Sequence, residues 1–246
     1  MQKECVLLHG WGMNQGVWHQ LLPKLTALKS DYVFKAFDLP GFGQNNFLPE
    51  PYTLESVAKS IAEKLADQTC IVAWSLGGLI AVYIAKHWPE KVSKIIMVAS
   101  SPYFTQQDNW PGIKVEVLEN FVVQLQRNSQ KTIERFLAIQ ALGSEHAKED
   151  IKLLKQSINA QPEPSPLALN AGLNILLNDD LRNEFSALEQ PIYGIFGRLD
   201  SLVPQEAIEF MHDLNSRFES QILSKASHAP FISHPDEFIW ALKRYV

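Results

Sequence analysis

The chain has 246 residues, of which 46% are hydrophobic and 20% are charged, and its formal net charge is −5. These values are typical of a globular protein with a substantial core, and a negative net charge argues against a general nucleic-acid-binding protein. No run approaches the ~18 apolar residues that span a bilayer and no leader segment is recognisable at the N-terminus, so we expect a cytoplasmic protein with neither a nucleic-acid nor a membrane partner.

Apolar runs alternate with helical patterns in the first hundred residues. Thr53 is a suitable N-cap for an amphipathic helix that continues to Leu65, and a second helix over 77–87 is stopped by Pro89. Four apolar runs lack polar alternation, which is typical of strands buried on both faces of a parallel sheet. They cover 5–8, 32–37, 69–74 and 94–99. This alternation predicts a doubly wound α/β sheet.

The pattern becomes almost wholly helical between 104 and 188. Strands are predicted again at 192–196 and 221–223, with helices at 204–214 and 235–245. We therefore expect an α/β core formed by 1–103 and 189–246, interrupted by a helical cap over 104–188. Within the cap, helices are predicted at 113–127, 130–142, 145–158 and 166–177. An insertion at the end of a strand commonly shapes function, because the scaffold tolerates it there.

A candidate nucleophile, Ser75, lies where the third predicted strand turns into a helix, in the sequence Ala-Trp-Ser-Leu-Gly-Gly. A nucleophile elbow needs such a sharp turn and small neighbouring residues. Gly77 provides one of these, and Ala73 stands where the pattern usually has glycine. The alternative is a serine that caps the helix of an ordinary strand-to-helix turn.

A nucleophilic serine requires a base and an acid that orients the base, in the chain order serine, acid, histidine. Asp200 follows the strand at 192–196, and His228 follows the strand at 221–223. The less suitable carboxylates are Asp179 and Asp180, in helical or linker sequence, and the less suitable histidine is His234, at a helix start. The remaining histidines occur in helical, loop or surface contexts: His9, His19, His87, His146 and His212.

Acyl transfer also requires N–H donors for the developing oxyanion. One is expected from Leu76, the residue after the nucleophile, and the other from the loop after the first strand, where Trp11 is the preferred donor. The indole of Trp11 is expected to wall the acyl pocket, and His9 is expected to brace the loop.

No metal or cofactor motif is present in the sequence. His-Glu-x-x-His and the phosphate-binding loop are absent, and Gly41-Phe42-Gly43 lacks the third glycine of a dinucleotide fingerprint. Cys5 and Cys70 are interpreted as small buried side chains that stay reduced. We expect no cofactor and no bound metal.

The His-Gly-Trp-Gly, Trp-Ser-Leu-Gly-Gly, Gly-Arg-Leu-Asp and Ser-His-Ala-Pro-Phe motifs resemble those of α/β-hydrolases, over essentially the whole chain. The resemblance implies the α/β-hydrolase fold, a mostly parallel doubly wound sheet with an inserted all-helical cap. The sequence departs from the family's pattern in its leading edge strand, which is expected to be short or absent. More narrowly, the chain resembles the pimeloyl-[acyl-carrier protein] methyl ester esterase family of biotin biosynthesis. The closer likeness lies in 98–102, 110–114, 134–140 and 228–235.

This narrower resemblance implies an esterase that removes the methyl group from a pimeloyl chain on acyl carrier protein. The acyl pocket beside Trp11 would be lined by Phe136, Leu137, Ala138, Ile139 and Gln140. The residues that dock the carrier protein would be Lys131, Arg135, Lys148 and Lys152. They form two pairs, and the two members of each pair are four residues apart. Between 127 and 155 there are six Lys or Arg against four Asp or Glu, although a charged helix face is also commonly just solvated.

Two other functions are compatible with the same residues. One is a general short-chain carboxylesterase or a carbon–carbon bond hydrolase that uses the same triad. The other is a catalytically silent binding protein with the hydrolase fold, which the three triad residues in their correct order disfavour. A monomer is expected in each case.

Overall fold

A six-stranded sheet forms the centre of the computed structural model, which describes residues 2–28, 31–141 and 146–246. The spatial order is β2-β1-β3-β4-β5-β6, and every pair of neighbouring strands is parallel. The strands are β1 (Lys3–Leu8), β2 (Tyr32–Phe37), β3 (Thr69–Trp74), β4 (Val92–Val98), β5 (Ile192–Gly197) and β6 (Phe218–Leu223).

Burial follows the position of each strand in the sheet. Every residue of the central strand β3 is buried, whereas the edge strand β2 alternates between exposed and half-buried residues. The strand order reverses direction between β1 and β3. The loops after these two strands therefore diverge and open a crevice at the carboxyl edge of the sheet, which is where ligands bind in open α/β folds.

Helices cover both faces of the sheet. The helices of the core are α1 (Leu21–Thr26), α2 (Leu54–Ala62), α3 (Leu76–His87), α9 (Gln205–Leu214), α10 (Pro230–Ser233) and α11 (Pro235–Leu242), with short 3-10 turns at Gln15–Trp18 and Pro89–Lys91. Thr53 caps α2 through a capping box with Ser56, as its sequence context indicates. Helix α3 begins directly after Ser75, so that residue forms the junction between sheet and helix.

The cap lies between β4 and β5. Its helices are α4 (Val115–Arg127), α5 (Ser129–Gln140), α6 (Ala147–Asn159) and α7 (Pro166–Asn178), and the short α8 (Arg182–Ser186) follows them and packs against α3 and α9 of the core. Helix α4 packs against α5 and α7, and α6 packs against α5 and α10. The chain leaves and re-enters the core at neighbouring positions, because the backbone N–H of Leu181 donates to the carbonyl oxygen of Pro102 at 2.9 Å.

The Arg182 guanidinium lies beside this crossing point. It lies 4.9 Å from the ring centre of Tyr103 and 5.3 Å from that of Trp110, and it pairs with the Asp180 carboxylate. This pairing lowers the pKa of Asp180 and raises that of Arg182. The crossing point is therefore held by a backbone hydrogen bond, an ion pair and two cation–π contacts.

The predicted α/β fold with a helical insertion is confirmed, and the strands differ from the prediction only at their ends. Strand β4 begins two residues before the predicted start, and β6 begins three residues before it. The short helices α1, α8 and α10 were not predicted, because fewer than seven residues give little periodicity. The predicted helix ends at 142 and 145 lie outside the described residues.

The described sheet has β2 and β6 at its edges and contains only parallel pairs. Among the described residues, no helix combines the length and apolar character needed to cross a membrane. Those residues also contain no group of three or more histidine, cysteine or acidic side chains placed to hold a metal ion.

Candidate active site

Ser75 adopts a backbone conformation that serine rarely takes, with φ 53° and ψ −120°. Its left-handed φ stores strain of the kind found at functional sites. The turn is sharp because β3 ends at Trp74 and α3 begins at Leu76, leaving only one residue between strand and helix. Space beside it is minimal: a Cβ on Gly77 would lie 2.9 Å from the carbonyl oxygen of His9. The glycine at position 77 is therefore required by close packing.

Hydrogen bonds hold this strained residue in place. The Ser75 N–H donates to the carbonyl oxygen of Val98 at 3.0 Å, and the hydroxyl of Ser100 donates to the Ser75 carbonyl oxygen at 2.7 Å. Ser100 is fully buried, and a Cβ on Gly78 would lie only 2.0 Å from its Oγ. The neighbouring strand β4 and the residues after it thus fix the elbow from one side.

Ser75, His228 and Asp200 form one hydrogen-bonded series. His228 Nε2 lies 3.1 Å from Ser75 Oγ, and His228 Nδ1 lies 2.8 Å from Asp200 Oδ2. The other carboxylate oxygen, Oδ1, accepts hydrogen bonds from the backbone N–H groups of Leu202 and Val203 at 2.8 and 3.1 Å. All three members are buried. With Asp200 held in this way, Nδ1 carries the proton and Nε2 faces the serine as an acceptor.

The backbone of His228 is anchored on both sides. Its N–H donates to the carbonyl oxygen of Gln140, at the end of α5, at 3.2 Å. Its own carbonyl oxygen accepts a hydrogen bond from the indole Nε1 of Trp74 at 2.8 Å. Sequence reasoning did not assign Trp74 a role, since an indole at the end of a buried strand is usually read as core.

The loop after β1 forms a tight turn beside Ser75. Residues 10–13 form a tight turn closed by Met13 N–H and the carbonyl oxygen of Gly10 at 3.3 Å, and Gly12 has φ +72°. The positive φ at the third turn position is typical of a type II turn. A Cβ on Gly10 would lie 3.1 Å from Ser75 Cβ, so the loop lies directly against the serine.

The backbone N–H groups of Trp11 and Leu76 have no protein acceptor among the described residues. Both residues are buried, and Leu76 is the first residue of α3, where the N–H has no partner within the helix. Unpaired N–H groups on the loop and on the helix start, both beside Ser75, are the arrangement that stabilises an oxyanion.

His9 braces the loop, as its sequence context indicates. Its Nδ1 donates to the carbonyl oxygen of Gly10 at 2.8 Å, and its Nε2 accepts from the N–H of Leu39 at 3.0 Å. The side chain is completely buried, and this loss of hydration lowers the pKa of His9. With both nitrogens engaged, His9 joins the loop after β1 to the loop after β2.

Helices of the cap contact the Trp11 indole. The ring of Phe136 meets it edge to face with centres 4.9 Å apart, and the indole Nε1 donates to the carbonyl oxygen of Leu169 on α7 at 2.8 Å. Gly172, one turn further along α7, leaves room for the indole, since a Cβ there would lie 2.8 Å from Trp11 Cδ1. The cap therefore closes directly over the loop after β1.

The five consecutive residues expected to line one pocket do not share a face of α5. Phe136, Leu137 and Gln140 are buried, whereas Ala138 is exposed. Ala138 and Ile139 line a separate groove against α4, so neither is brought next to Trp11. The reason is helical geometry: residues one and two positions apart point about 100° and 200° around the axis, so five successive side chains encircle the helix.

A cavity of about 440 Å³ lies between α5, α6 and the segment 161–164. Leu137 and Ile133 of α5, Ile158 of α6 and Leu169 of α7 contribute its apolar wall. This wall continues to the oxyanion loop, because a Cβ on Gly12 would lie 3.8 Å from Ile133 Cγ1. Neither Ser75 nor His228 lines the cavity, so it lies outside the triad in this conformation.

The four basic residues expected to dock a carrier are all exposed on the cap: Lys131 and Arg135 on α5, and Lys148 and Lys152 on α6. The less suitable triad candidates lie elsewhere. His234 Nδ1 pairs with the hydroxyl of Ser233, and Asp180 pairs with Arg182. The structure therefore brings together Ser75, Asp200 and His228 and leaves those alternatives apart.

A parallel sheet with a strained serine at its crevice, followed by a helical insertion, defines the α/β-hydrolase class. A family model for the alpha/beta hydrolase fold matches residues 6–235, and the chain belongs to this family. Within it, the chain belongs with the curated pimeloyl-[acyl-carrier protein] methyl ester esterases. It is 46% identical to that of Aeromonas hydrophila subsp. hydrophila over 244 residues (99% of this chain, 95% of the relative) and 44% identical to that of Photobacterium profundum over 243 residues (99% and 94%).

Solved structures agree on the fold. An esterase from Exiguobacterium antarcticum superposes with a TM-score of 0.88 at 22% identity, covering 99% of this chain and 91% of that one. A hydrolase from Oleispira antarctica gives a TM-score of 0.84 at 21% identity, covering 100% and 92%. At these identities the structural likeness supports the shared fold alone.

Proposed function

We propose that this protein hydrolyses the methyl ester of pimeloyl-acyl carrier protein, giving pimeloyl-acyl carrier protein and methanol. The observation that carries the chemistry is the series from Ser75 Oγ through His228 to Asp200, with distances of 3.1 and 2.8 Å. The substrate class is supported by relatives of that name that are 42–46% identical over nearly the whole chain. Hydrolysis of an ester is the reaction that a serine with an oriented imidazole base performs.

Acylation begins with proton transfer from Ser75 Oγ to His228 Nε2 as the oxygen attacks the ester carbonyl carbon. The N–H groups of Trp11 and Leu76 donate to the oxyanion of the tetrahedral intermediate. Asp200 keeps the imidazole oriented and stabilises its positive charge. His228 then returns the proton to the methoxy oxygen, the carbon–oxygen bond breaks, and methanol leaves.

Deacylation repeats these steps with water. His228 removes a proton from the water as it attacks the acyl-enzyme carbonyl, and the proton passes to Ser75 Oγ when the ester bond to the enzyme breaks. The product carries a free distal carboxylate and stays attached to the carrier at its other end. Every proton and bond in this cycle is accounted for by the chain and its substrate, so the reaction calls for no cofactor.

The exposed basic residues of α5 and α6 are proposed to dock the acidic carrier protein. Lys131 and Arg135 lie four residues apart on α5, and Lys148 and Lys152 lie four apart on α6, so each pair lies on one side of its helix. Helices α5 and α6 pack against each other. Complementary charge on a packed pair of helices would speed the encounter with an acidic partner and orient it.

The cavity between these helices offers a route for a prosthetic arm. It opens between α5 and α6, the two helices that carry the basic pairs, and its apolar wall leads to the oxyanion loop. A substrate on a long flexible arm could then reach the buried Ser75 while its carrier stays outside. Lys155 and Glu134 form an ion pair of 3.0 Å across the two helices, at the lining of the cavity.

The test compares hydrolysis of pimeloyl methyl ester on acyl carrier protein with hydrolysis of the same ester on a small thiol. The docking variant reverses all four charges, as Lys131→Glu, Arg135→Glu, Lys148→Glu and Lys152→Glu. A matched control reverses four exposed lysines outside the cap, as Lys59→Glu, Lys64→Glu, Lys86→Glu and Lys225→Glu. Both variants change the net charge equally, so a general electrostatic effect would affect them alike.

We expect the wild type and the control to prefer the carrier-bound ester and the docking variant to lose that preference. Hydrolysis of the small ester should be equal in all three. Equal rates on both substrates, unchanged by charge reversal, would instead indicate a general short-chain carboxylesterase. Failure of a fluorophosphonate to label Ser75 would indicate a silent binding protein.

A further inference from the structure

The side chain of Gln140 is buried without a hydrogen-bonding partner. Its exposure is 1%, and neither Oε1 nor Nε2 has a partner among the described residues. Burying an amide with neither its donor nor its acceptor paired is costly, and buried side-chain amides are normally satisfied. This residue therefore calls for a functional explanation.

Gln140 ends the helix α5, which contacts both the Trp11 indole and the backbone of His228. It follows Phe136 by four residues on α5, so the two side chains share a helix face, and Phe136 packs on the Trp11 indole. The backbone carbonyl oxygen of Gln140 accepts the N–H of His228 at 3.2 Å. The unpartnered amide thus belongs to the end of α5 that contacts the Trp11 indole through Phe136 and the His228 backbone through Gln140.

We propose that Gln140 Oε1 binds the water that hydrolyses the acyl-enzyme. This inference rests on the proposed function and deepens it. In the acyl-enzyme the N–H groups of Trp11 and Leu76 already donate hydrogen bonds to the acyl carbonyl oxygen. His228 Nε2 accepts only one proton of the attacking water. The second proton needs an acceptor, and Gln140 Oε1 is a buried, unengaged acceptor on the residue whose backbone carbonyl binds the His228 N–H.

The step balances without any further reactant. Water donates one proton to His228 Nε2 and one hydrogen bond to Gln140 Oε1, its oxygen bonds to the acyl carbon, and the bond from that carbon to Ser75 Oγ breaks. The proton on His228 then passes to Ser75 Oγ. Gln140 changes no covalent bond and acts by orienting the water, so its removal should affect deacylation and spare acylation.

The variant Gln140→Leu removes both polar atoms with little change of shape, and Gln140→Met serves as a second variant. Thr132→Val is the matched control, because Thr132 is also buried on α5 but its hydroxyl donates to the backbone carbonyl of Asn128. The substrate is a 4-nitrophenyl ester, which needs no carrier. Stopped-flow release of nitrophenol separates acylation from turnover, and intact mass spectrometry detects acylated Ser75.

The deciding measurement adds methanol as a competing acceptor. Methanol has a single hydroxyl proton, which goes to His228, so methanolysis does not use Gln140 as an acceptor. We expect Gln140→Leu to keep the burst rate within about twofold, to slow hydrolysis of the acyl-enzyme about tenfold or more, and to raise the ratio of methanolysis to hydrolysis accordingly. Because two unpaired polar atoms disappear, thermal stability should be unchanged or higher.

The inference is overturned if acylation and deacylation fall together, or if the ratio of methanolysis to hydrolysis is the same in the variants, the control and the wild type. A lower rate of acylation with an unchanged rate of deacylation would indicate that the Gln140 amide contacts the ester substrate and not the attacking water. If the wild type forms no acyl-enzyme at Ser75, the proposed function itself fails, which is a distinguishable result.

Discussion

The indole Nε1 of Trp74 donates a hydrogen bond to the backbone carbonyl oxygen of His228 at 2.8 Å. Trp74 is the residue immediately before Ser75, so the last residue of β3 holds the loop that carries the base. The two ring centres are 5.9 Å apart, and both side chains are completely buried. The nucleophile and its base are therefore connected through the protein as well as through their own hydrogen bond.

Replacing Trp74 by phenylalanine should reduce both activity and stability. The change keeps an aromatic ring but leaves the carbonyl oxygen of His228 without its partner, at an expected cost of about 1–3 kcal/mol. The His228 loop is then less firmly held, and we expect kcat to fall about tenfold while KM changes little. Steady-state kinetics on a 4-nitrophenyl ester and thermal unfolding measure the two effects.

Trp18→Phe provides the matched control for this prediction. Trp18 belongs to the same aromatic cluster, with its ring centre 4.2 Å from that of Phe231 and 6.4 Å from that of Trp74. Its Nε1, however, has no partner among the described residues. Its substitution should therefore lower stability only through lost packing contacts and should leave kcat nearly unchanged. An equal loss of kcat in both variants would contradict the role assigned to the Trp74 hydrogen bond.

The burial of His9 predicts a loss of stability at acidic pH. Its pKa is lowered in the folded protein, whereas in the unfolded chain it titrates near its ordinary value of about 6.5. Below that pH the unfolded state binds a proton that the folded state does not, so the free energy of unfolding falls as pH falls from about 6.5. Above it, His9 is neutral in both states and contributes no pH dependence.

His9→Gln should flatten this dependence between about pH 5 and pH 7, because glutamine does not titrate there. Denaturant unfolding of the variant and the wild type across that range is the measurement. The variant is expected to be less stable at pH 8, since the bonds to Gly10 and Leu39 are disturbed. If the free energy of unfolding depends on pH equally in the variant and the wild type, groups other than His9 cause the acid sensitivity.

Gly172→Ala should reduce activity more than stability. The new Cβ would lie 2.8 Å from Trp11 Cδ1 and displace the indole that stands over the oxyanion loop. Overpacking costs about 1–3 kcal/mol, partly offset by the roughly 0.5–1 kcal/mol that alanine gains over glycine in a helix. We expect kcat/KM to fall about tenfold with only a small change in Tm.

Asn174→Ala, at an exposed position of the same helix, is the control for Gly172→Ala and should behave as the wild type. If Gly172→Ala keeps full activity, the indole has room to move without consequence for the oxyanion loop. If both variants lose activity, the loss reflects a general disturbance of α7 and not the contact between position 172 and Trp11.

Gly78 and Ser100 should show strong coupling. A Cβ on Gly78 would lie 2.0 Å from the Oγ and 2.6 Å from the Cβ of Ser100, so Gly78→Ala alone should destabilise the protein by about 1–3 kcal/mol. Adding Ser100→Gly removes both clashing atoms and should restore most of the stability. It should not restore full activity, because the hydrogen bond to the Ser75 carbonyl oxygen is lost.

A double-mutant cycle of thermal unfolding and kcat measures both parts of this prediction. Additive losses of stability would show that the backbone accommodates the new methyl group in another way. Full activity in the double variant would show that the elbow keeps its shape without the Ser100 hydroxyl.

Much of the site could be predicted because it depends on the ends of strands. Ser75, Asp200 and His228 each follow a strand, and the carboxyl ends of parallel strands meet at one edge of the sheet. Apolar runs mark such strands in the sequence even when they are short. The meeting of the three side chains was therefore predictable without any knowledge of distances.

The contacts across the cap were not predictable in the same way. Which residues of α5 face the core depends on how the helix is rotated, and Ala138 is on the exposed side although it lies between two partly buried stretches. The links of His228 to Trp74 and Gln140 join residues 154 and 88 positions apart, through a backbone carbonyl on one side and a backbone N–H on the other. Backbone partners leave no trace in side-chain chemistry, so no pattern pointed to them.

The single crossing between Pro102 and Leu181 makes the cap an exchangeable unit. Because both chain connections lie at one hydrogen-bonded position, the intervening helices can be replaced without altering the order of strands or the loops that bear the triad. Substrate choice can then diverge by changing one continuous stretch of the gene, while the chemistry stays in the flanking sequence. For protein engineering, the same two residues define the junctions at which a foreign lid should be grafted onto this core.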